Sequence, residues 1–161
     1  MSEASGMKIV TADGTRAEPG PLTRIVLRYA ELIEARATAA GTSLADWEPV
    51  GALVSDDFER VGAYMEVMSW PEYVRFLQQW AGSTRFESTV FQVTEIGRSV
   101  FQEIEERHYR GDDFIRKNVI AVYRFNDKDQ IEHLDIYEQA ADTGRWIVEA
   151  AQSAAGSAGA A

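Results

Sequence analysis

The feature that most constrains this chain is a run of four strand-like segments with almost nothing between them. Residues 83–138 read STRFESTVFQVTE, IGR, SVFQEIEERHYR, GDD, FIRKNVIAVYRF, NDKD and QIEHLDIYE. The long pieces are rich in Val, Ile, Phe, Tyr and Thr, which suit a pleated, half-buried surface. The short pieces carry Gly97, Gly111 or Asn126 with its acidic neighbours, the residues that turns favour. Strands this close in sequence pair antiparallel, because parallel neighbours need a crossover of a dozen or more residues. The first half of the chain reads as helices. Helices followed by a long antiparallel sheet define an α+β domain with a pocket between its two layers. What the chain does then turns on what lines that pocket.

The first helix is marked by Leu22, Ile25, Val26, Tyr29, Leu32 and Ile33 at helical spacing, after Pro21 and before Gly41. A second helix is expected over about 44–54, opened by Ser43 and Asp46 in capping-box spacing and limited by Pro49. A short strand follows near 58–65. The third helix starts at Ser69, with Pro71 in its first turn and Glu72 three residues on; Trp70, Val74, Leu77 and Ala81 form its apolar face and Gly82 ends it. A last helix is expected over about 141–151, docked by Trp146 and Ile147. Residues 1–20 read as a loose arm with at most a short extended piece at 7–11. Residues 152–161, small and low in complexity, read as a disordered tail. The folded unit is then 21–151.

Composition sets limits on partners. With 161 residues, 45% of them apolar, and four Trp, the chain supports one domain with one core. Asp and Glu outnumber Lys and Arg 26 to 16, a net charge of -10, which argues against nucleic-acid binding and against docking on anionic lipid. There is no cysteine, so a disulfide framework, a thiolate nucleophile and Cys-ligated zinc are excluded; the absence fits a cytoplasmic protein. The opening MSEASGMKIV lacks the pattern of a secretory signal, and no apolar run reaches the ~18 residues of a membrane span.

The segments IVLRYAELIE, DWEPVGALVSDDF, the Ser-Trp-Pro-Glu-Tyr helix start and VIAVYRFNDKDQIEHLDIYE together resemble the SnoaL-like branch of the NTF2-like superfamily, over about residues 22–140. The stretch ATAAGTSLA separates the first two helices more than is usual there. The resemblance implies an NTF2-like cone with a deep pocket, and a homodimer built on the sheet. It also brings the relatives' chemistry into view: polyketide cyclases, ketosteroid isomerases, scytalone dehydratase and limonene-type epoxide hydrolases, which work on small, mostly apolar compounds.

Acid–base chemistry in such a pocket needs a carboxylate or imidazole whose pKa burial can tune, with donors for a developing oxyanion. His133, Asp135 and Tyr137 alternate on the last strand and share one face. Glu106 and His108 share a face of the second meander strand with Gln102 and Ile104. These give Asp135, His108, Glu106 and His133 as candidate catalytic residues. The alternative for the last strand is set by register. In the family's usual register the acid position falls on Ile136, and then Leu134 and Ile136 face an apolar pocket. The epoxide-hydrolase pattern of an arginine and an aspartate two apart is not met, since Arg107 is followed by Tyr109. Tyr29, Trp47, Tyr64, Trp70, Phe86 and Tyr123 are candidate pocket walls. No metal-ligand spacing, Gly-rich phosphate loop or nucleophile elbow occurs, so neither a metal nor a cofactor is expected. Two readings stand: a cofactor-free isomerase, cyclase, dehydratase or hydrolase acting on a polyketide-, terpenoid- or steroid-like compound, and a non-catalytic ligand-binding or accessory protein of the same fold.

Overall fold

The computed structural model describes residues 6–16, 18–81 and 83–140. The helix expected over 141–151 and the tail after it lie outside these residues. Within them the chain forms β1 (Lys8–Thr11), β2 (Gly14–Arg16), α1 (Pro21–Ala37), a 3-10 turn (Leu44–Trp47) running into α2 (Glu48–Gly51), β3 (Val54–Val61), β4 (Val67–Ser69), α3 (Trp70–Ala81), and the meander β5 (Arg85–Ile96), β6 (Ser99–Arg110), β7 (Asp113–Phe125) and β8 (Ile131–Ala140). All eight strands join one curved, unclosed sheet in the order β2-β1-β5-β6-β7-β8-β3-β4.

The meander is antiparallel throughout. Gly97 and Gly111 take positive φ at its two tight turns, where a side chain would be strained. At the third turn Asn126 Oδ1 accepts hydrogen bonds from the N–H groups of Lys128 and Gln130. The flanks make the sheet mixed: β1 runs parallel to β5, and β3 parallel to β8. The stretch 8–16, expected as a loose arm, is a hairpin on the sheet edge. Its partner β5 lies some eighty residues away, so no local signal announces the pairing.

α1 buries Leu22, Val26, Tyr29, Ile33 and Ala37, one stripe at a helical repeat. Its first turn has no side-chain cap of its own. Glu95 of β5 supplies one instead: its Oε2 accepts from Thr23 N–H at 2.8 Å and from Thr23 Oγ1 at 2.7 Å. The second helix is shorter than its sequence suggests. Asp46 accepts from the backbone and hydroxyl of Ser43 as the capping pattern predicts. Pro49 lacks the N–H that would continue the turn into α2, which ends at Gly51. At α3, Glu72 accepts from Ser69 N–H and Oγ at 2.8 and 2.7 Å.

The helices cover one face of the sheet, called the inner face below. Val100, Ala121, Tyr123, Phe125, Ile131 and Leu134 pack there against Val26, Tyr29, Trp47 and Val74. Two irregularities matter for which side chains reach it. A bulge at Phe91 in β5 puts both Val90 and Val93 inward, and β3 slips against β8 between Val54 and Glu59.

Candidate functional site

Parity along the strands assigns the inner face residue by residue. On β6 the inward set is Val100, Gln102, Ile104, Glu106 and His108; on β7 it is Lys117, Val119, Ala121 and Tyr123; on β8 it is Leu134, Ile136 and Glu138. The inner face is therefore apolar over most of its area and turns polar near the β6–β7 turn. There Glu106 stands directly across from Lys117, and Ser88 of β5 directly across from Glu106. His108 Nε2 lies 3.1 Å from Glu106 Oε2, and Lys117 Nζ donates to both oxygens of Glu138 at 3.2 and 3.1 Å. Ser88 Oγ donates to Glu34 of α1 at 2.6 Å. The four charged or titratable side chains keep 11–22% of their surface exposed. They are neither solvated freely nor sealed, which is where an ionisable group can meet a small molecule.

α3 links this cluster to a second polar group. Tyr73, Phe76 and Trp80 fall on one side of the helix, with ring centroids 6.3 and 5.5 Å apart in succession. At one end of the strip Trp80 contacts His108, centroid to centroid 5.4 Å, and Phe86 closes on the same imidazole at 5.1 Å. At the other end the guanidinium of Arg60 from β3 sits 4.8 Å from the centre of the Tyr73 ring. Tyr29 and Tyr123 lie edge to face at 5.8 Å beside it. Burial raises the pKa of Tyr29, Tyr73 and Tyr123 above the ordinary phenol value, so all three are neutral donors at pH 7. Tyr123 uses its proton on Gln102 Oε1 at 3.1 Å. Tyr29 Oη, Arg60 Nε, Gln102 Nε2 and His108 Nδ1 are buried without a hydrogen-bond partner. Buried polar atoms are nearly always paired, so four orphans around one interior mark it as unusual.

The structure divides the residues singled out from the sequence. Glu106 and His108 meet on the inner face. Asp135 and His133 do not join them: they sit on the outer face, away from the helices. There Asp135 accepts from Arg124, and its other oxygen lies 3.0 Å from His133 Nε2; His133 also approaches Glu59 at 3.6 Å. Burial would raise the Asp135 pKa, but hydrogen bonds from Arg124 and His133 outweigh it and hold it below the usual carboxylate value. The reason for the split is register: Asp135 pairs with Val122, and Ile136 pairs with the inward Ala121. Leu134 and Ile136 thus face inward, as the family register implies. Tyr29, Trp47 and Trp70 belong to the inner core, and Phe86 packs on His108. Tyr64 is misplaced as a wall, since it is 70% exposed in the turn between β3 and β4.

Sequence reasoning missed Arg60, Tyr73, Lys117 and Glu138. A signal existed for Lys117, two residues before Val119 in an inward-facing row. Arg60 had none, because the slip in β3 scrambles its parity. Among the described residues no group of three or more metal-ligating side chains forms. No helix among them is long and apolar enough to cross a membrane. Two open grooves flank the helices. One of about 450 Å³ runs between Trp47, Gly51, Trp70 and Val74, and one of about 410 Å³ between α1 and β5, floored by Val90 and Gln102.

An α+β cone of helices on a curved, mixed sheet, with a polar cluster on its inner face, is the NTF2-like fold. Solved structures of that fold superpose on the chain. An LEH-like epoxide hydrolase of M. tuberculosis is 18% identical over 74% of this chain and 86% of its own, with a TM-score of 0.58. An NTF2-like protein of unknown function from Exiguobacterium sp. 255-15 is 15% identical over 74% and 99%, TM-score 0.59. A Jannaschia sp. CCS1 structure with a provisional SnoaL-like polyketide cyclase assignment is 12% identical over 77% and 92%, TM-score 0.58. At these identities the likeness is one of fold. No family model and no curated protein matches the sequence.

Proposed function

We propose that this protein binds a small organic molecule against the inner face of its sheet and moves a proton on it without a cofactor. The observation that carries this reading is the Glu106–His108 pair, joined at 3.1 Å beneath Trp80 and Phe86. A carboxylate on Nε2 favours the tautomer with its proton there, leaving Nδ1 as the basic nitrogen. That nitrogen is buried and has no protein partner. It is suited to take a proton from a carbon beside a carbonyl, or from a water, with Glu106 steadying the imidazolium that results. Isomerisation, cyclisation, dehydration or hydrolysis of a polyketide-, terpenoid- or steroid-like ring system fits the aromatic strip of α3. A cytoplasmic setting fits the cysteine-free chain.

The test is a turnover screen over cyclic ketones and epoxides, followed by Glu106→Gln and His108→Asn. Each variant is expected to lower kcat by roughly 10²-fold or more, while Asp135→Asn on the outer face leaves it unchanged. Equal rates in wild type and both inner-face variants would sink the assignment. A second reading, ligand binding without turnover, is favoured by Leu134 and Ile136, which are apolar where the family register expects the acid; Glu138, further along the inner side of β8, is held by Lys117. Saturable binding of the same compounds, with no product formed, would establish it.

We also infer a homodimer through the outer face of the sheet. Phe101, Ile120 and Tyr137 are 41, 45 and 59% exposed there, and Ile120 and Tyr137 are direct cross-strand neighbours. Of the charges beside them, Arg124 pairs with Asp135 and Arg107 with Glu105, while Glu103 stands exposed directly across from Ile120. The apolar side chains of such a patch can be buried against a copy of itself.

A further inference from the structure

Arg60 is the most deeply placed cation of the inner face, with its side chain 13% exposed. Its carboxylate partner among the described residues is Glu66, at a long 3.5 Å. Glu66 is more exposed and divides itself, accepting also from Tyr64 N–H at 3.0 Å. Arg60 Nε has no partner at all, and neither has the Tyr29 hydroxyl nearby. A guanidinium presents five donors and no acceptor, and leaving one buried and under-paired is costly. Every protein group that closes on this spot from the helices is a ring or a neutral phenol: Tyr29, Trp70 and Tyr73. The Tyr73 hydroxyl is hydrogen-bonded to Arg60 but carries no charge, and the other carboxylates of the interior lie elsewhere. Glu106 and Glu138 stand toward the β6–β7 turn, and Lys117 is already held by Glu138. The interior is therefore polarised, with an incompletely paired guanidinium on the β3 side and carboxylates at the other end. Between them runs the aromatic strip Tyr73, Phe76, Trp80, its first two rings stacked and the third tilted by 50°.

We propose that the molecule bound here is an aromatic or polycyclic carboxylic acid, its carboxylate on Arg60 and the Tyr29 hydroxyl, its ring system along Tyr73, Phe76 and Trp80 toward His108. The inference rests on the acid–base reading for which atom reacts, but not for binding. The carboxylate supplies the two-oxygen acceptor that a guanidinium fork matches. The other end offers it no free cation, since Lys117 is held by Glu138, so the ligand enters in one orientation and presents its far ring to the Glu106–His108 pair. A purely apolar compound would leave Arg60 as under-paired as it is in the free protein.

The Arg60 side-chain Nε–H signal of ¹⁵N-labelled protein reads this directly and needs no variant. The probes are 2-naphthoate, 2-naphthamide and acetate, titrated at neutral pH. Naphthoate is expected to move that signal strongly, with an affinity at least roughly tenfold above both the isosteric amide and acetate. Arg60→Lys, which keeps the charge but loses the fork, is expected to erase most of the advantage over the amide. Glu106→Gln is expected to bind naphthoate as well as the wild type or better, which separates this proposal from the acid–base one. If naphthamide binds as tightly as naphthoate, or if no probe shifts Arg60 Nε–H at millimolar concentration, the proposal is wrong whatever the enzyme assays show.

Discussion

Gly20 and Glu95 show how much one contact can carry. A Cβ at Gly20 would come within 2.4 Å of Glu95 Oε2, so the glycine makes room for the carboxylate that closes the first turn of α1. The carboxylate meets the free N–H of Thr23 and the positive end of the helix dipole. Glu95→Ala is expected to lower the unfolding free energy by about 1–2 kcal/mol in urea titration. Gly20→Ala should lose part of the same amount, and Gly20→Ala on top of Glu95→Ala should add little. Additive losses would mean the two residues act separately. The residue scale is also where the sequence misled. His133, Asp135 and Tyr137 do alternate on one face, but only cross-strand register tells which face, and register is set by partners far away. Arg60 was invisible for the same reason, its parity broken between Val54 and Glu59. Glu106 and His108 could be found because β6 pairs β7 without a slip from Ser99 to Arg110.

Elements were far more legible. Ser69 with Glu72 and Ser43 with Asp46 mark helical starts because the same three-residue spacing that is visible in the chain is the spacing of the hydrogen bonds. Gly97 and Gly111 announced their turns because positive φ selects glycine. α2 was overread, since Pro49 and Gly51 shorten what the capping pattern opens. The caps have a pH signature. Hydrogen bonds from the Ser43 and Ser69 backbone and hydroxyl groups lower the pKa of Asp46 and Glu72, and Asp135 is lowered by Arg124 and His133 against the opposing effect of burial. A carboxylate lowered on folding stabilises above its unfolded value, about 4, and that contribution disappears as pH falls through its folded value. The urea midpoint is therefore expected to fall steadily from about pH 5 downward. The double variant Asp46→Asn, Glu72→Gln should show a lower plateau near neutrality and a shallower acid limb. An identical acid slope in that variant would assign the effect to other carboxylates.

At the scale of the molecule, the order helices-then-meander was enough to place the chain among α+β cones, while the N-terminal hairpin was not foreseeable from local pattern. The same scale holds the assembly prediction. Sedimentation is expected to give a dimer, and Ile120→Glu a folded monomer with unchanged circular dichroism. A wild-type monomer at high micromolar concentration would leave the outer face without the partner assigned to it.

The two parallel pairings have a kinetic corollary. β1 must await β5, and β3 must await β8, whereas each hairpin of the meander can close as soon as its own turn forms. The earliest-synthesised strands are thus the last to be zipped, and loop closure across some eighty residues slows that step. Arg60 rides on β3 and Glu106 on the meander, so the two ends of the interior come together only at the final stage. Pulse-labelled exchange should protect Val119 and Ile104 before Val61, and an intermediate lacking β3 would have its proton-handling pair in place yet no anchor for a bound acid.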